Sequence, residues 1–162
     1  MRNYIKLSLA LVVFISMMSF SNRSTSVVKT TNKTTIASDT ITWKMLGDIK
    51  YVRKKHATYG EVEFPQVNMQ LKMMQKKTVY MSGFIVPIDN KSYALSKNVF
   101  AACFFCGKSG PETIAGIKFK GATPKLKTDT YVTLKGTFRY NETDVEDWIY
   151  HIENAEIVAQ SK

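Results

Sequence analysis

Two cysteines are the residues of this chain whose type and spacing could do chemistry. Cys103 and Cys106 are the only cysteines, and the aromatic residues Phe104 and Phe105 lie between them. Thiols at this spacing can form a disulfide with each other or bind one metal ion together. A turn of sequence Gly-Lys-Ser-Gly-Pro-Glu follows at once. Residues 100–112 are therefore the predicted site, and the rest of the chain must position them.

The cysteine pair leaves several binding roles open. A disulfide closing so short a loop stabilises a fold by only about 2 kcal/mol in the chain-entropy model, so it would mainly shape the loop. Zinc would need two further ligands beside the thiolates, and the candidates are His56, His151 and Glu112. Cu(I) could be bound by the two sulfurs alone or with a methionine.

A thiol–disulfide oxidoreductase is the alternative from the enzyme class. Its cysteine pair would begin a helix after a strand, where the helix dipole lowers the thiol pKa. Here the flanking sequence has a β pattern, and Gly107 to Pro111 disfavours a helix starting at Cys106. Gly107 also occupies the position at which a c-type haem motif requires histidine. The pattern favours a non-catalytic binding module in which Phe104 and Phe105 form a recognition loop.

Residues 1–21 are typical of a secretory signal peptide. Arg2 and Lys6 precede an apolar run over residues 7–20, and Ser19 and Ser21 supply the small residues of a cleavage site. The run is shorter than the ~20 residues of a spanning helix, so the mature chain is predicted to have no transmembrane span. We therefore expect an exported protein, periplasmic or secreted, in a compartment where disulfides persist.

The chain is strongly basic. Its 23 Lys and Arg against 13 Asp and Glu give a net charge of +10, or +8 once Arg2 and Lys6 of the leader are removed. Such an excess indicates either an acidic partner or a lysine-rich solvated surface. Export counts against a nucleic-acid partner, so another envelope protein is the expected partner.

One domain is predicted after a linker. Residues 22–40 are rich in Ser, Thr, Asn and Lys and indicate a flexible spacer, whereas residues 41–160 form a single β-rich domain. Thr42 is predicted to cap a short helical turn through Leu46. Pro65 is predicted to begin a further helix, in which Met69 and Met73 are expected to pack into the core.

The remaining sequence has the period of β-strands. Gly83 is predicted to form a bulge in the first of five strands. These strands are expected over residues 78–88, 93–96, 115–119, 132–140 and 148–159. The predicted fold is mainly β, a small OB-like five-stranded barrel with one short helix. The alternative is an open antiparallel sheet with a packed helix, of α+β class.

Three segments together resemble a known family. Trp43, the strand of residues 82–88 and residues 102–112 are similar to small exported bacterial proteins catalogued as a domain of unknown function. The resemblance covers about residues 41–159, and its most specific parts are a Gly-Phe-x-x-Pro strand and a Cys-x-x-Cys-Gly loop followed by Gly-Pro-Glu. It implies a periplasmic setting and transport components as partners, some linked to metal uptake. It implies no activity and no catalytic residue.

Overall fold

The structure is a computed structural model that describes residues 39–161. The predicted signal peptide and residues 22–38 of the predicted linker lie outside the described residues. Asp39 and Thr40, the last two residues of that linker, already lie along the domain. The backbone N–H of Tyr80 donates to the carbonyl of Asp39 at 2.8 Å, and the N–H of Ile41 donates to the carbonyl of Tyr80 at 2.9 Å.

Within residues 39–161, seven strands form two sheets. They are β1 (Ile49–His56), β2 (Gly60–Val67), β3 (Thr78–Pro87), β4 (Tyr93–Ser96), β5 (Ile114–Phe119), β6 (Tyr131–Tyr140) and β7 (Tyr150–Gln160). β3 to β7 form a closed barrel in the order β3-β4-β5-β7-β6, in which only the β5–β7 pairing is parallel. The predicted OB-like barrel is confirmed, and the alternative of an open sheet is wrong because β3 also pairs with β6.

Alternation of buried and exposed side chains builds the barrel, since successive residues of a strand point to opposite faces. In β6, Val132, Leu134 and Phe138 are fully buried, as their spacing predicts, whereas Lys135 is exposed. The same alternation runs through β3. The largest fully buried side chains of the barrel are Met81, Ile85, Leu95, Ile114, Leu134, Phe138, Tyr150 and Ile152.

Gly83 does not form the predicted bulge. The register of β3 with β6 runs without a shift from Thr78 to Phe84. The glycine is instead required by a close approach, because a Cβ at this position would lie 2.6 Å from the carbonyl oxygen of Ser96 and 3.0 Å from the Trp43 ring. Space for neighbouring strands and for that indole, rather than a change of register, accounts for the glycine.

Helix α1 (Trp43–Gly47) packs against the barrel core. Its predicted cap is confirmed, because Thr42 Oγ1 accepts from the N–H of Met45 at 3.3 Å. The Trp43 indole N–H donates to the carbonyl of Ser82 at 2.8 Å, and the side chain of Leu46 is fully buried. A buried hydrogen bond from the Tyr150 hydroxyl to the carbonyl of Leu46 adds a second link to the barrel.

Helix α2 (Met69–Met74) begins four residues later than predicted. Asn68 caps it by accepting from the N–H of Leu71 at 3.0 Å, whereas Pro65 lies inside β2 opposite Tyr51. Proline is tolerated there because a two-stranded sheet leaves half of its backbone N–H groups without a ladder partner. Residues 39–161 contain no helix with the length and apolar character needed to cross a membrane.

The two outer methionines of α2 contradict the prediction that they pack in the core. Met69 is 70% exposed and Met73 is 59% exposed, whereas Leu71 is fully buried. The helix is six residues long, so only one narrow stripe of it reaches the barrel.

Strands β1 and β2 form a separate antiparallel hairpin, which runs from Ile49 opposite Val67 to His56 opposite Gly60. The hairpin projects beside the barrel with most of β1 exposed, including Lys50 and Lys54. The sequence does not identify this hairpin, because a strand that is solvated on both faces lacks the alternation that identifies buried strands.

Candidate recognition site around the cysteine loop

The cysteine loop, defined as residues 97–113, connects β4 to β5. Its ends are held together by a hydrogen bond of 3.0 Å from the N–H of Lys97 to the carbonyl of Thr113. Ser109 Oγ donates to the carbonyl of Ala102 at 2.9 Å across the loop. Short 3-10 turns fill the intervening chain at Phe100–Ala102, Phe104–Cys106 and Pro111–Thr113. The predicted loop between strands is confirmed, and no α-helix starts at Cys106.

The two cysteines are neighbours in different environments. Cys103 is fully buried, Cys106 is exposed, and both are free thiols. A 3-10 turn aligns residues three apart, which places the two side chains on the same side of the turn. Gly107 ends the turn in the left-handed region with a φ of 67°, a conformation in which glycine avoids the steric cost of a Cβ.

The Cys106 thiol is not activated. Its Sγ donates to the carbonyl of Phe100 at 3.1 Å. Partial desolvation in the loop raises the pKa of this thiol, contact with Cys103 raises it further, and Lys108 acts weakly in the opposite direction. A reactive thiol of a disulfide oxidoreductase has instead a lowered pKa.

The predicted additional ligands do not join the two sulfurs in a metal site. Over residues 39–161, no group of three or more His, Cys, Asp and Glu side chains is arranged to hold a metal ion. His56 Nδ1 accepts from the backbone N–H groups of Thr58 and Tyr59 in the hairpin. His151 contacts Asp147, and Glu112 accepts from the Tyr51 hydroxyl. Binding of Cu(I) by the two sulfurs stays a prediction.

A row of aromatic rings runs from the cysteine loop to the barrel. The ring centroids of Phe104 and Phe105 are 5.7 Å apart, those of Phe105 and Trp148 are 5.9 Å apart, and those of Trp148 and His151 are 6.3 Å apart. Such spacings are typical of favourable aromatic pairs. Phe105 remains 44% exposed and Phe100, at the other side of the loop, remains 41% exposed.

Beside this row is a cavity of about 240 Å³, the aromatic groove. Three segments contribute to it: the hairpin, the cysteine loop and the acidic loop, which we define as residues 141–149 between β6 and β7. Aromatic walls come from all three segments, namely Tyr51, Phe64, Phe104 and Trp148. The groove therefore exists only in the folded domain, and its aromatic residues are up to 97 positions apart in sequence.

Hydrogen bonds hold the hairpin against the two loops. Tyr51 donates to Glu112 Oε2 at 3.4 Å, and Tyr59 donates to Glu146. Glu142 Oε1 accepts from the N–H of Val67 at 2.7 Å. Partial burial, followed by the charge of Glu112, raises the pKa of Tyr51 to about 12. At neutral pH the tyrosine is therefore a hydrogen-bond donor to the carboxylate.

A charged network supports the acidic loop from the barrel side. Arg139 donates to Asp147 Oδ2 at 3.0 Å and to Glu153 Oε1 at 2.9 Å. His151 Nε2 lies 3.0 Å from Asp147 Oδ1. Burial and the Arg139 charge lower the pKa of His151, although Asp147 opposes them. The imidazole is therefore neutral at pH 7 and fixes the orientation of the loop through hydrogen bonding.

Sequence reasoning missed Tyr51, Phe64 and the role of Trp148 in the groove. No spacing rule connects the acidic loop with a hairpin some 80 residues earlier in the chain. No family model, curated protein or solved structure matches this chain. The geometry of the cysteine loop and the aromatic groove is therefore the basis for inferring function.

Proposed function

We propose that the chain is an exported, non-catalytic binding module that recognises another envelope protein through the cysteine loop. Following the resemblance described above, the partner is a component of a transport system. The observation that carries the proposal is the exposure of Phe100 and Phe105 on a loop otherwise held by internal hydrogen bonds. Large aromatic side chains on a preorganised loop are the usual anchors of protein interfaces.

The two cysteines have a supporting role in this proposal. Oxidation of the two thiols to a disulfide, with their two electrons and two protons passing to a disulfide donor of the exported compartment, would close the 3-10 turn and fix the positions of Phe104 and Phe105 between the two sulfurs. The raised pKa of Cys106 and the absence of a helix at the cysteine pair favour this role over thiol–disulfide exchange. A turnover in an insulin-reduction assay that Cys103→Ser abolishes would overturn the non-catalytic assignment.

Site-specific photo-crosslinking tests the proposal. A photoreactive amino acid is placed at Phe100 or Phe105 of the full chain in the source cells, and covalent products are identified. Val158 is the matched control, because it is 48% exposed on β7 and does not line the groove. We expect one discrete product from both loop positions that is missing from the control. Identical products at all three positions, or none at the loop, would overturn the proposal.

Truncation of the anchor gives a quantitative second test. Hot-spot aromatic residues contribute about 2 kcal/mol or more to an interface, so Phe105→Ser should weaken binding of the crosslinked partner roughly 30-fold. The control is Tyr131→Ser, because Tyr131 is 42% exposed on β6 and does not line the groove. Equal affinities of the two variants would show that the loop is not the interface.

Metal binding is a second candidate function, favoured by the adjacency of the two thiols. The reduced chain is titrated with Zn²⁺ and with Cu(I) in competition with a chelator of known affinity. Cu(I) binding that requires both Cys103 and Cys106 would support a two-sulfur site. Zinc binding that His56→Gln, His151→Gln or Glu112→Gln weakens would support the four-ligand site. Uptake of neither ion would eliminate this candidate.

A further inference from the structure

The aromatic groove has a charge opposite to that of the whole chain. Its lining residues in the described part of the chain include no Lys, Arg or His, although the chain has 23 Lys and Arg. Four of the lining residues are acidic: Glu63, Asp144, Glu146 and Asp147. An apolar cavity with this rim is electrostatically complementary to a cation rather than to a neutral or anionic group.

Two of the four carboxylates have no Lys or Arg partner among the residues that the structure describes. Glu63 forms an exposed ion pair with Arg53 at 3.6 Å, and Asp147 pairs with Arg139 at 3.0 Å. For Asp144 and Glu146, no Lys or Arg nitrogen of residues 39–161 lies within 4.0 Å. Their contacts are with neutral groups, since Asp144 Oδ1 accepts the N–H of Glu146, and Glu146 accepts the hydroxyl of Tyr59.

The aromatic walls favour the same kind of ligand. Tyr51, Phe64, Phe104 and Trp148 line the groove, and the negative face of an aromatic ring attracts a cation within about 6 Å. The chain already uses one of these rings in this way, because Lys54 Nζ lies 5.4 Å from the ring centroid of Phe64. Lys54 does not line the groove, so this contact leaves the cavity itself without a cation.

Size and shape indicate a single side chain as the ligand. The volume of about 240 Å³ is below the roughly 300–1,000 Å³ of pockets for drug-sized molecules. A Lys or Arg side chain has an apolar stem and a charged head, which match aromatic walls and a carboxylate rim respectively. A metal ion would not use the aromatic walls, and the described residues offer no three-ligand group for one.

We propose that the aromatic groove binds a Lys or Arg side chain presented by an extended segment of the partner protein. The inference rests on the proposed function and adds the chemistry of the residue recognised. Phe105, whose ring packs on Trp148 of the groove, contacts the partner beside the groove, and the basic side chain enters it. Asp144 and Glu146 provide the charge selectivity.

Blocked pentapeptides test this proposal on the isotope-labelled full chain. The central residue is lysine, arginine or norleucine, the last being nearly isosteric with lysine but uncharged, and the flanking residues are alanine. Amide chemical shifts report both affinity and location. We expect the lysine and arginine peptides to shift groove residues with at least tenfold higher affinity than the norleucine peptide. Raising the salt concentration should weaken the binding of the lysine and arginine peptides, because the acidic rim is exposed to screening ions.

Variants then assign the selectivity to the two carboxylates. Glu146→Gln retains an oxygen for the Tyr59 hydroxyl, and combined with Asp144→Asn it should reduce lysine-peptide affinity about tenfold while leaving norleucine-peptide binding unchanged. Glu61→Gln is the matched control, because Glu61 is an exposed hairpin carboxylate that does not line the groove. The amide spectrum of each variant establishes that it is folded.

Several outcomes would overturn the proposal. Equal binding of lysine and norleucine peptides would show an apolar groove without charge selectivity. Equal binding of n-butylamine and the lysine peptide would show a site for free amines rather than for a partner segment. Either result would leave a loop-specific crosslink at Phe105 intact, so the proposed function would survive. Conversely, lysine selectivity without any crosslinked partner would overturn the proposed function instead.

Discussion

The Tyr51 hydroxyl donates a hydrogen bond of 3.4 Å to Glu112 Oε2 and thereby links the β1–β2 hairpin to the cysteine loop. The two residues are 61 positions apart in sequence, and Tyr51 lines the aromatic groove. Because the hairpin has no strand pairing with the barrel, contacts of this kind determine where it lies. The hairpin position is therefore controlled by side chains that can be changed without altering the barrel.

Ionisation of Tyr51 should destabilise the fold at high pH. Its pKa is raised from 10.0 to about 12, so the folded state retains the phenolic proton more strongly than the unfolded state. The associated stability is present below pH 10 and is lost as the pH rises through about 12. Solvent screening limits the effect to about 1 kcal/mol or less, because Tyr51 is 39% exposed.

Urea unfolding at pH 8.5 and pH 11 measures this contribution. Tyr51→Phe should lose less stability between the two pH values than the unmodified chain loses. Tyr131→Phe is the control, since Tyr131 is 42% exposed and its hydroxyl has no hydrogen-bond partner in the described residues. A pH dependence that is the same for Tyr51→Phe and for the unmodified chain would contradict the assignment.

The buried hydrogen bond from Tyr150 to Leu46 should make a larger contribution at neutral pH. Removing the hydroxyl with Tyr150→Phe leaves the carbonyl of Leu46 without its donor at a buried position. We expect a loss of about 1–2 kcal/mol in the free energy of unfolding, measured by urea at pH 7. The free energy of unfolding of the Tyr131→Phe control should differ from that of the unmodified chain by less than about 0.5 kcal/mol. A similarly small change for Tyr150→Phe would mean that water replaces the donor.

Acid should weaken the network beneath the acidic loop through His151. Burial and Arg139 lower the pKa of His151 below its usual 6.5, so the unfolded state binds the proton more strongly than the folded state. The stability that depends on neutral His151 is present above pH 6.5 and is lost as the pH falls through the lowered folded pKa. The pKa of Asp147 is lowered as well, because the charges of His151 and Arg139 outweigh the effect of burial. Protonation of Asp147 therefore extends the loss of folding stability to lower pH.

Replacing the imidazole should remove the first part of that acid dependence. His151→Gln is expected to be less stable than the unmodified chain at pH 7 and to have a flatter stability profile between pH 7 and pH 5. His56→Gln controls for the loss of a histidine elsewhere in the chain. Unfolding curves with parallel pH dependence in His151→Gln and the unmodified chain would show that His151 does not carry the effect.

The two thiols should react at different rates. Cys106 is exposed, whereas Cys103 has no exposed surface and reacts only when the loop opens. In the reduced chain we expect one thiol to react with an aromatic disulfide reagent at least tenfold faster than the other. Cys106→Ser should remove the fast phase and Cys103→Ser the slow one. Reversal of the two phases would contradict the burial of Cys103.

The barrel was predictable because each of its strands has an internal pattern. β6 alternates apolar and polar residues, which indicates a strand buried on one face, and β3 is a run of residues with high β propensity. The β1–β2 hairpin has no such pattern. Pro65 predicts a helix start from sequence, but proline is also tolerated in edge strands, which is where the structure places it. Met69 and Met73 have helical spacing, but sequence does not reveal how much of a six-residue helix the barrel covers.

The site was predictable only where its residues are adjacent in sequence. Cys103 to Cys106 form a local motif, so the loop and its phenylalanines were identified. The aromatic groove combines residues near positions 51–65, 104–114 and 141–149, and only folding brings these segments together. The pairing of Tyr59 with Glu146 spans 87 positions. A single sequence contains no signal for such contacts.

The parallel pairing of β5 with β7 has a consequence for biosynthesis. β7 follows the other four barrel strands in sequence, and it lies between β5 and β6 in the barrel. A nascent chain that lacks residues 150–160 therefore has two open sheet edges, which invite pairing with other chains. The barrel can close only after residues 150–160 have been synthesised, so a chain truncated before Tyr150 should aggregate, whereas the local β1–β2 hairpin can form as soon as it emerges.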